Sequence, residues 1–227
     1  MKKVRRYPVK SMMGEDLTEA FVSPSGLIGD RCYAFVDQKS ENKSFPWMTA
    51  RQGHEMILYN AKFLDEGHVE IESPEGLMFS VRDDALLLHL EQRFDRKLTL
   101  VFNAKGNYDS RPISLFSLQT LEQLCEETDA YLEAERFRAN FFVDWNNKRP
   151  FFEDSLVGET LQIGSTAKIR VDKKNVRCVI PTLDTKTAQS NPRVLDTLGK
   201  SHETCAGVYA VVLEEGIVRP KDTISLV

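Results

Sequence analysis

At 227 residues the chain is long enough for one large domain or for two small ones sharing a core. Hydrophobic residues make up 41%, and 34 acidic residues against 30 basic ones leave a formal net charge of −4. That apolar content excludes a disordered chain, and the mildly acidic balance argues against a nucleic-acid partner. No run of about eighteen apolar residues is present, so no membrane-spanning helix is expected. The basic start, Met1-Lys2-Lys3-Val4-Arg5-Arg6, is followed by no apolar stretch and does not read as a signal peptide.

The first 80 residues read as short strands broken by turns. Strands are expected over Val4 to Val9, Glu19 to Ser23 and Cys32 to Asp37, with a turn at Ser23-Pro24-Ser25-Gly26 and a polar loop from Gln38 to Pro46. His68-Val69-Glu70-Ile71-Glu72 alternates cleanly before the turn Ser73-Pro74-Glu75-Gly76 leads into Leu77 to Val81. Asp83 or Asp84 can cap a helix carrying Leu86, Leu87, Leu90 and Phe94, and Ser117 can cap a second with Leu118, Leu121, Leu124 and Cys125. Between them Leu98 to Phe102 reads as a strand. Strands return over Asn140–Asp144, Leu161–Ile163, Ala167–Val171, Val176–Ile180, Gly207–Leu213 and Thr223–Val227. Asp184 to His202 reads as a polar loop that can hold a short helix. The expected fold class is mainly β with a few helices, built around a small barrel or strongly bent sheet.

The four cysteines, Cys32, Cys125, Cys178 and Cys205, form no C-x-x-C pair, and the four histidines form no metal-ligating pair at helical spacing. A reducing, cytoplasmic setting is therefore expected. No G-x-S-x-G, phosphate-binding loop or G-x-G-x-x-G occurs. Several bases stand at predicted strand ends or in turns: Lys10, Arg31, Arg51, Arg136, Arg138, Lys173, Lys174 and Arg177. Converging on one cleft, they would suit a phosphate-bearing ligand; singly, each reads equally well as a solvated surface charge. Cys178 follows Arg177 and lies near Lys173 and Lys174. Positive neighbours favour a thiolate, which is both a nucleophile and a soft metal ligand. The same cysteine, between Val176 and Val179, also reads as a small buried hydrophobe.

Seven stretches in order resemble the MOSC family, named for the molybdenum cofactor sulfurase C-terminal domain, with the strongest likeness to the branch of the mitochondrial amidoxime reducing component. They are Tyr7-Pro8-Val9-Lys10-Ser11, Gly26-Leu27-Ile28-Gly29-Asp30-Arg31, Thr49-Ala50-Arg51-Gln52, Arg136-Phe137-Arg138-Ala139-Asn140, Glu153-Asp154, Arg177-Cys178-Val179-Ile180-Pro181-Thr182-Leu183-Asp184 and Gly207-Val208-Tyr209. The chain departs from the family pattern at Ala139, Leu156, Val176 and Pro181. The resemblance implies a MOSC β-barrel over 83–227 packed on an N-terminal barrel-like region over 1–82, together holding a molybdenum cofactor, that is, molybdopterin carrying molybdenum. It implies Cys178 as the metal ligand and catalytic residue. Lys10, Ser11 and Arg31 would be phosphate-side contacts, and Arg138, Asn140, Asp109 and Ser110 pterin-side contacts. Arg51, Arg177 and Tyr209 would complete the pocket.

The implied activity is an oxidoreductase that reduces N-hydroxylated small molecules with electrons from a separate flavin or iron–sulfur protein. Pyridoxal phosphate is not expected. Two alternatives are a sulfur carrier working through a Cys178 persulfide and a non-catalytic carrier of the molybdenum cofactor. A β-rich binding module without catalysis is the plainest reading.

Overall fold

The computed structural model describes residues 1–42, 44–65 and 67–227. Lys43, within the expected 38–46 loop, lies outside the described residues. The N-terminal strands are β1 (Lys3–Arg6), β2 (Glu15–Leu17), β3 (Ala20–Ser23), β4 (Gly26–Leu27), β5 (Tyr33–Asp37), β6 (Trp47–Met48), β7 (Asn60–Phe63), β8 (Val69–Glu72) and β9 (Met78–Ser80). Helix α1 (Asp84–Phe94), β10 (Leu98–Phe102), β11 (Ile113–Ser117) and α2 (Leu118–Thr128) follow. The rest comprises β12 (Phe141–Val143), β13 (Thr160–Ile163), β14 (Ala167–Val176), α3 (Arg193–Ser201), β15 (Cys205–Glu214), β16 (Gly216–Val218) and β17 (Ile224–Leu226). The chain is mostly β, as its alternating segments predict.

One eight-stranded sheet dominates, in the order β17-β13-β14-β15-β11-β12-β1-β2, antiparallel except where β11 runs parallel to β12. Three small sheets, β10-β5-β6, β16-β3-β4 and β7-β8-β9, complete the fold. The two ends of the chain are interleaved. Strands β1 and β2 finish the sheet made by the C-terminal strands, and β16 pairs with β3. The interior face of the large sheet buries Val4, Ile113, Leu115, Phe141, Ile169, Val171, Val208 and Ala210. A second core joins Tyr33, Phe35, Met56, Ile71 and Leu90, and a third, around Phe116, Phe137 and Phe142, seats α2 and α3. Among the described residues no helix is long and apolar enough to cross a membrane.

Both expected helix starts are found, by different means. Ser117 accepts a hydrogen bond from the Thr120 amide at 3.1 Å and caps α2. Asp83 stands at the N-cap of α1, but its carboxylate accepts instead from the Ser80 amide at 2.7 Å. Ser117→Ala is expected to cost about 1 kcal/mol, the usual worth of a cap, measured as a shift in the urea midpoint; Asp83→Ala is expected to destabilise α1 less, since no cap bond is lost.

One expectation fails locally. The strand predicted for Val176–Ile180 is absent: β14 ends at Val176, and Ile180–Thr182 form a 3-10 turn. Pro181 near the start of that turn has no amide for a ladder and suits a helical turn instead. Cys178 therefore sits in the irregular link between β14 and that turn. The polar segment from Asp184 to His202 holds a short helix, as expected: nine-residue α3, which buries Val194 and Leu198 at i and i+4.

Candidate functional site

All eleven site residues expected from the sequence line one cavity of about 320 Å³, between the large sheet and the N-terminal loops. The chain folds unusually there. Ser11, Arg31 and Arg138 hold φ of 69°, 50° and 51°. Left-handed backbone at non-glycine residues costs on the order of 1–3 kcal/mol each and persists where surroundings enforce it, most often at functional sites. Here the enforcement is visible. The Arg31 amide donates to Tyr7 O at 2.7 Å, and the Arg31 guanidinium donates to Arg138 O at 2.9 Å. The Arg138 guanidinium in turn donates to Met12 O at 2.7 Å.

Asp30 organises this end of the cavity. It is 2% exposed, accepts from the Tyr7 amide at 2.7 Å and from Asn140 Nδ2 at 3.0 Å, and forms an ion pair with Arg31. Burial opposes the Arg31 charge, but Asp30 outweighs it and raises the pKa. Arg138 has no such acid beside it: burial, with Arg31 as the next cause, pushes it down to about 10, still charged at neutral pH. The two guanidiniums stand 4.9 and 4.6 Å from the centre of the Tyr7 ring, where its π-cloud partly offsets their charge. Asn140 lies in the cavity wall with its amide committed to protein. Its oxygen accepts from the Ser114 amide and hydroxyl, and its nitrogen donates to Asp30 and Arg5 O. It braces Asp30 and offers no free donor.

Opposite lies a charged triad. Lys10, 6% exposed, donates to Asn107 O at 2.7 Å and forms an ion pair with Asp109, and Arg51 donates to the other Asp109 oxygen at 2.9 Å. Burial lowers the Lys10 pKa more than Asp109 raises it, helped by Arg31 and Arg51. Burial opposes the Asp109 charge, but Lys10 and Arg51 hold its carboxyl below the usual range. Burial likewise opposes Arg51, whose hydrogen bond to Asp109 and interaction with Cys178 outweigh it and raise its pKa. Among the cations lining the cavity, Arg51 and Arg177 both interact with Cys178. Lys174, adjacent in sequence, pairs instead with Glu203 at 3.1 Å and Asp154 at 3.5 Å.

Cys178 is half-buried and is the one cysteine in the cavity lining. Cys32 is buried, and desolvation pushes its thiol up to about 12; Cys205 is also buried and raised. Arg177 points inward and is fixed by Ala206 O at 2.7 Å and Phe137 O at 2.8 Å. With its amide oxygen facing Arg177, Asn175 accepts a third bond at 3.2 Å. Gly207, at φ 74°, makes room for this arrangement: a Cβ there would stand 2.6 Å from Leu115 O and 3.3 Å from Arg177 Nη2. Gly207→Ala is expected to lower stability by at least the ~1–2 kcal/mol of a left-handed alanine. The check is urea unfolding, paired with a titration of inorganic phosphate, whose binding weakens as Arg177 is displaced.

The lining contains nine basic residues and one acid, Asp109, in a chain whose total charge is negative. Among the described residues no carboxylate pairs with Arg138, Arg177 or Lys173. Ser110 Oγ is buried with no hydrogen-bond partner. The charge of such a hollow is complementary to an anion. Sequence reasoning missed Tyr7, Asp30, Tyr108 and Asn175 as parts of it. The Asp30-Arg31 dipeptide was a readable signal, whereas Asn175 depends on a fold contact that no local pattern shows. Among the described residues no group of three His, Cys, Asp or Glu side chains could hold a metal.

The family model described as the MOSC domain matches residues 103–225, and that described as the MOSC N-terminal beta barrel domain matches residues 1–112. No curated protein sequence matches the chain. Among solved structures, the YUAD protein from Bacillus subtilis is similar over 98% of this chain and 92% of its own, with a TM-score of 0.54 and 16% identity. YiiM from Geobacillus stearothermophilus aligns with 52% of this chain and 54% of its own, at a TM-score of 0.39 and 19% identity. YiiM from Escherichia coli aligns with 54% and 57%, at a TM-score of 0.38 and 16% identity. The full-length likeness to the YUAD protein is one of fold.

Proposed function

The chain belongs to the MOSC family, and from that premise we propose that its cavity binds a molybdenum cofactor and that the protein is an oxidoreductase of N-hydroxylated compounds. The observation that carries the reading is Cys178, half-buried in a cationic hollow beside Arg51. The residues present fit the group. Its phosphate suits Lys10, Ser11, Arg31 and the unpaired Arg138, and Ser110 Oγ offers a buried polar atom still free to bond. Asp109 is the one carboxylate available to accept from a pterin's N–H groups. Cys178 would give a cofactor-borne metal one soft sulfur from the protein, and the cofactor itself would have to supply the rest of the metal's ligands, since no cluster of His, Cys, Asp or Glu is found among the described residues.

When bound, the cofactor supplies two-electron oxygen-atom transfer: R–NHOH + 2 e⁻ + 2 H⁺ → R–NH₂ + H₂O, with the electrons delivered by a separate flavin or iron–sulfur protein. The chain's own residues hold and orient. Arg51, beside Cys178, ties that side of the cavity to Asp109. Arg136 donates to Thr182 O at 3.2 Å and to Asp184 at 2.8 Å, fixing the turn that follows Cys178. Arg177 anchors the preceding residue to two backbone carbonyls, so both sides of the cysteine are held.

The test is to purify the protein from a host proven to load its other molybdenum enzymes, and to measure molybdenum, pterin and dye-linked reduction of an N-hydroxylated compound together. Stoichiometric metal and pterin with turnover are expected. Absence of metal with a trappable persulfide on Cys178 would move the assignment to sulfur transfer. Bound cofactor without turnover under any donor would make the protein a carrier.

A further inference from the structure

We propose that Lys173 is a specificity-determining residue at the cavity mouth, selecting substrates that carry an anionic oxygen-bearing group, a phosphate or a carboxylate; this rests on the reductase reading above. Strand β14 does not pair regularly with β15. Val171 lies opposite Ala210, but Lys173 lies opposite Tyr209, so an extra residue, Asp172, is inserted between them. In an unbroken ladder residue 173 would oppose Val208, whose side chain is fully buried in the core face. The bulge turns Lys173 to the other face, in one transverse row with Tyr209 and, across the next strand, Ser114. All three line the cavity. Bulges beside active sites commonly re-aim a side chain in this way.

The charges at the mouth agree with this placement. The inserted Asp172 does not neutralise Lys173: it pairs with Arg111 at 2.8 Å. Lys174 also borders the cavity, but its ammonium is held by Glu203 and Asp154. Lys173 is exposed and has no carboxylate partner among the described residues. Farther out on the same face, Arg170 opposite Val211 is exposed and pairs with no carboxylate among the described residues. The deep cations Arg31 and Arg138 gather instead around Tyr7. A phosphate bound there leaves Lys173 available to a second anion, the substrate's own.

The experiment uses loaded protein and matched probes, N4-hydroxycytidine against its 5′-monophosphate and benzamidoxime against its 4-carboxy derivative, reduced with a dye donor and normalised to molybdenum. Wild type is expected to favour the anionic member of a pair. In Lys173→Ala the ratio of kcat/KM, anionic over neutral, should fall about tenfold through KM, the scale of one charge-assisted bond. Lys173→Arg should restore it, and Lys173→Glu should lower it further. Calorimetric titration of wild type and Lys173→Ala with cytidine monophosphate and cytidine supplies a reading independent of turnover, with the loss confined to the phosphorylated ligand. Preference in the phosphate pair alone, or in the carboxylate pair alone, names the group. Reduction of neutral and anionic probes with equal efficiency, or a Lys173→Ala effect equal on both, overturns the assignment and leaves the reductase reading standing. Failure of loaded wild type to reduce any probe overturns both.

Discussion

Serine at position 178 is expected to eliminate reductase turnover while leaving the protein folded. The substitution changes one atom at a half-buried position in an irregular link outside any strand, so stability should change by no more than the ~0.5 kcal/mol typical of peripheral changes. The chemical effect is of another order. Losing an outer-shell partner of a metal ligand already costs about 10–100-fold in affinity or activity, and Cys178 would be the ligand itself. Retained molybdenum should fall with it, whereas pterin phosphate contacts, provided by Lys10, Arg31 and Arg138, remain in place. Metal loss exceeding pterin loss is therefore the expected signature. The same serine at Cys32 should affect neither, because that thiol is buried against Pro8 O and burial keeps it protonated. Full metal content and turnover in Cys178→Ser would remove the sulfur atom from the proposal.

What the sequence reveals about this site depends on how local the cause is. Strand β8 and helices α1 and α2 are legible because their periodicity and flanking turns are written in consecutive residues. The segment around Cys178 misleads because Val176-Arg177-Cys178-Val179-Ile180 has the composition of a strand, yet Arg177 is bound by carbonyls of Ala206 and Phe137 and Pro181 starts a turn. Tertiary hydrogen bonds override β propensity there. Charge is harder still to read along the chain. Lys173 and Lys174 look like the activators of Cys178, but one is turned to the cavity mouth by a bulge and the other is committed to two acids. Arg51 reaches the cavity of Cys178 from a distant loop. Asn140 looks like a ligand contact and is a brace, since its four hydrogen-bonding positions are filled by Ser114, Asp30 and Arg5. That all eleven expected residues share a cavity was legible through ordered motifs; their division into contacts and supports was not, because it depends on which partners the fold leaves free.

Asp30 provides the sharpest test of that division. It touches the cavity only through others, yet Asp30→Asn should destabilise the fold by about 3–5 kcal/mol, the cost of removing one member of a buried ion pair. One carboxylate oxygen accepts from the Tyr7 amide; the other accepts from Asn140 and pairs with Arg31. An amide has a single accepting oxygen, so its NH₂ must face a donor in either orientation. The lost charge matters as much. Arg31 and Arg138 would then flank the Tyr7 ring with no anion to offset their repulsion and desolvation. Urea unfolding measures the loss, and Glu19→Gln is the comparison, since its pair with Arg219 is more than half exposed on both sides and should be worth well under about 1 kcal/mol. Inorganic phosphate should restore part of the stability of Asp30→Asn by mass action, because an anion in the cavity replaces the missing charge. A variant as stable as Glu19→Gln, or one indifferent to phosphate, would mean that the guanidiniums at this end are held by backbone carbonyls alone and that the cavity carries no excess positive charge for a ligand to use.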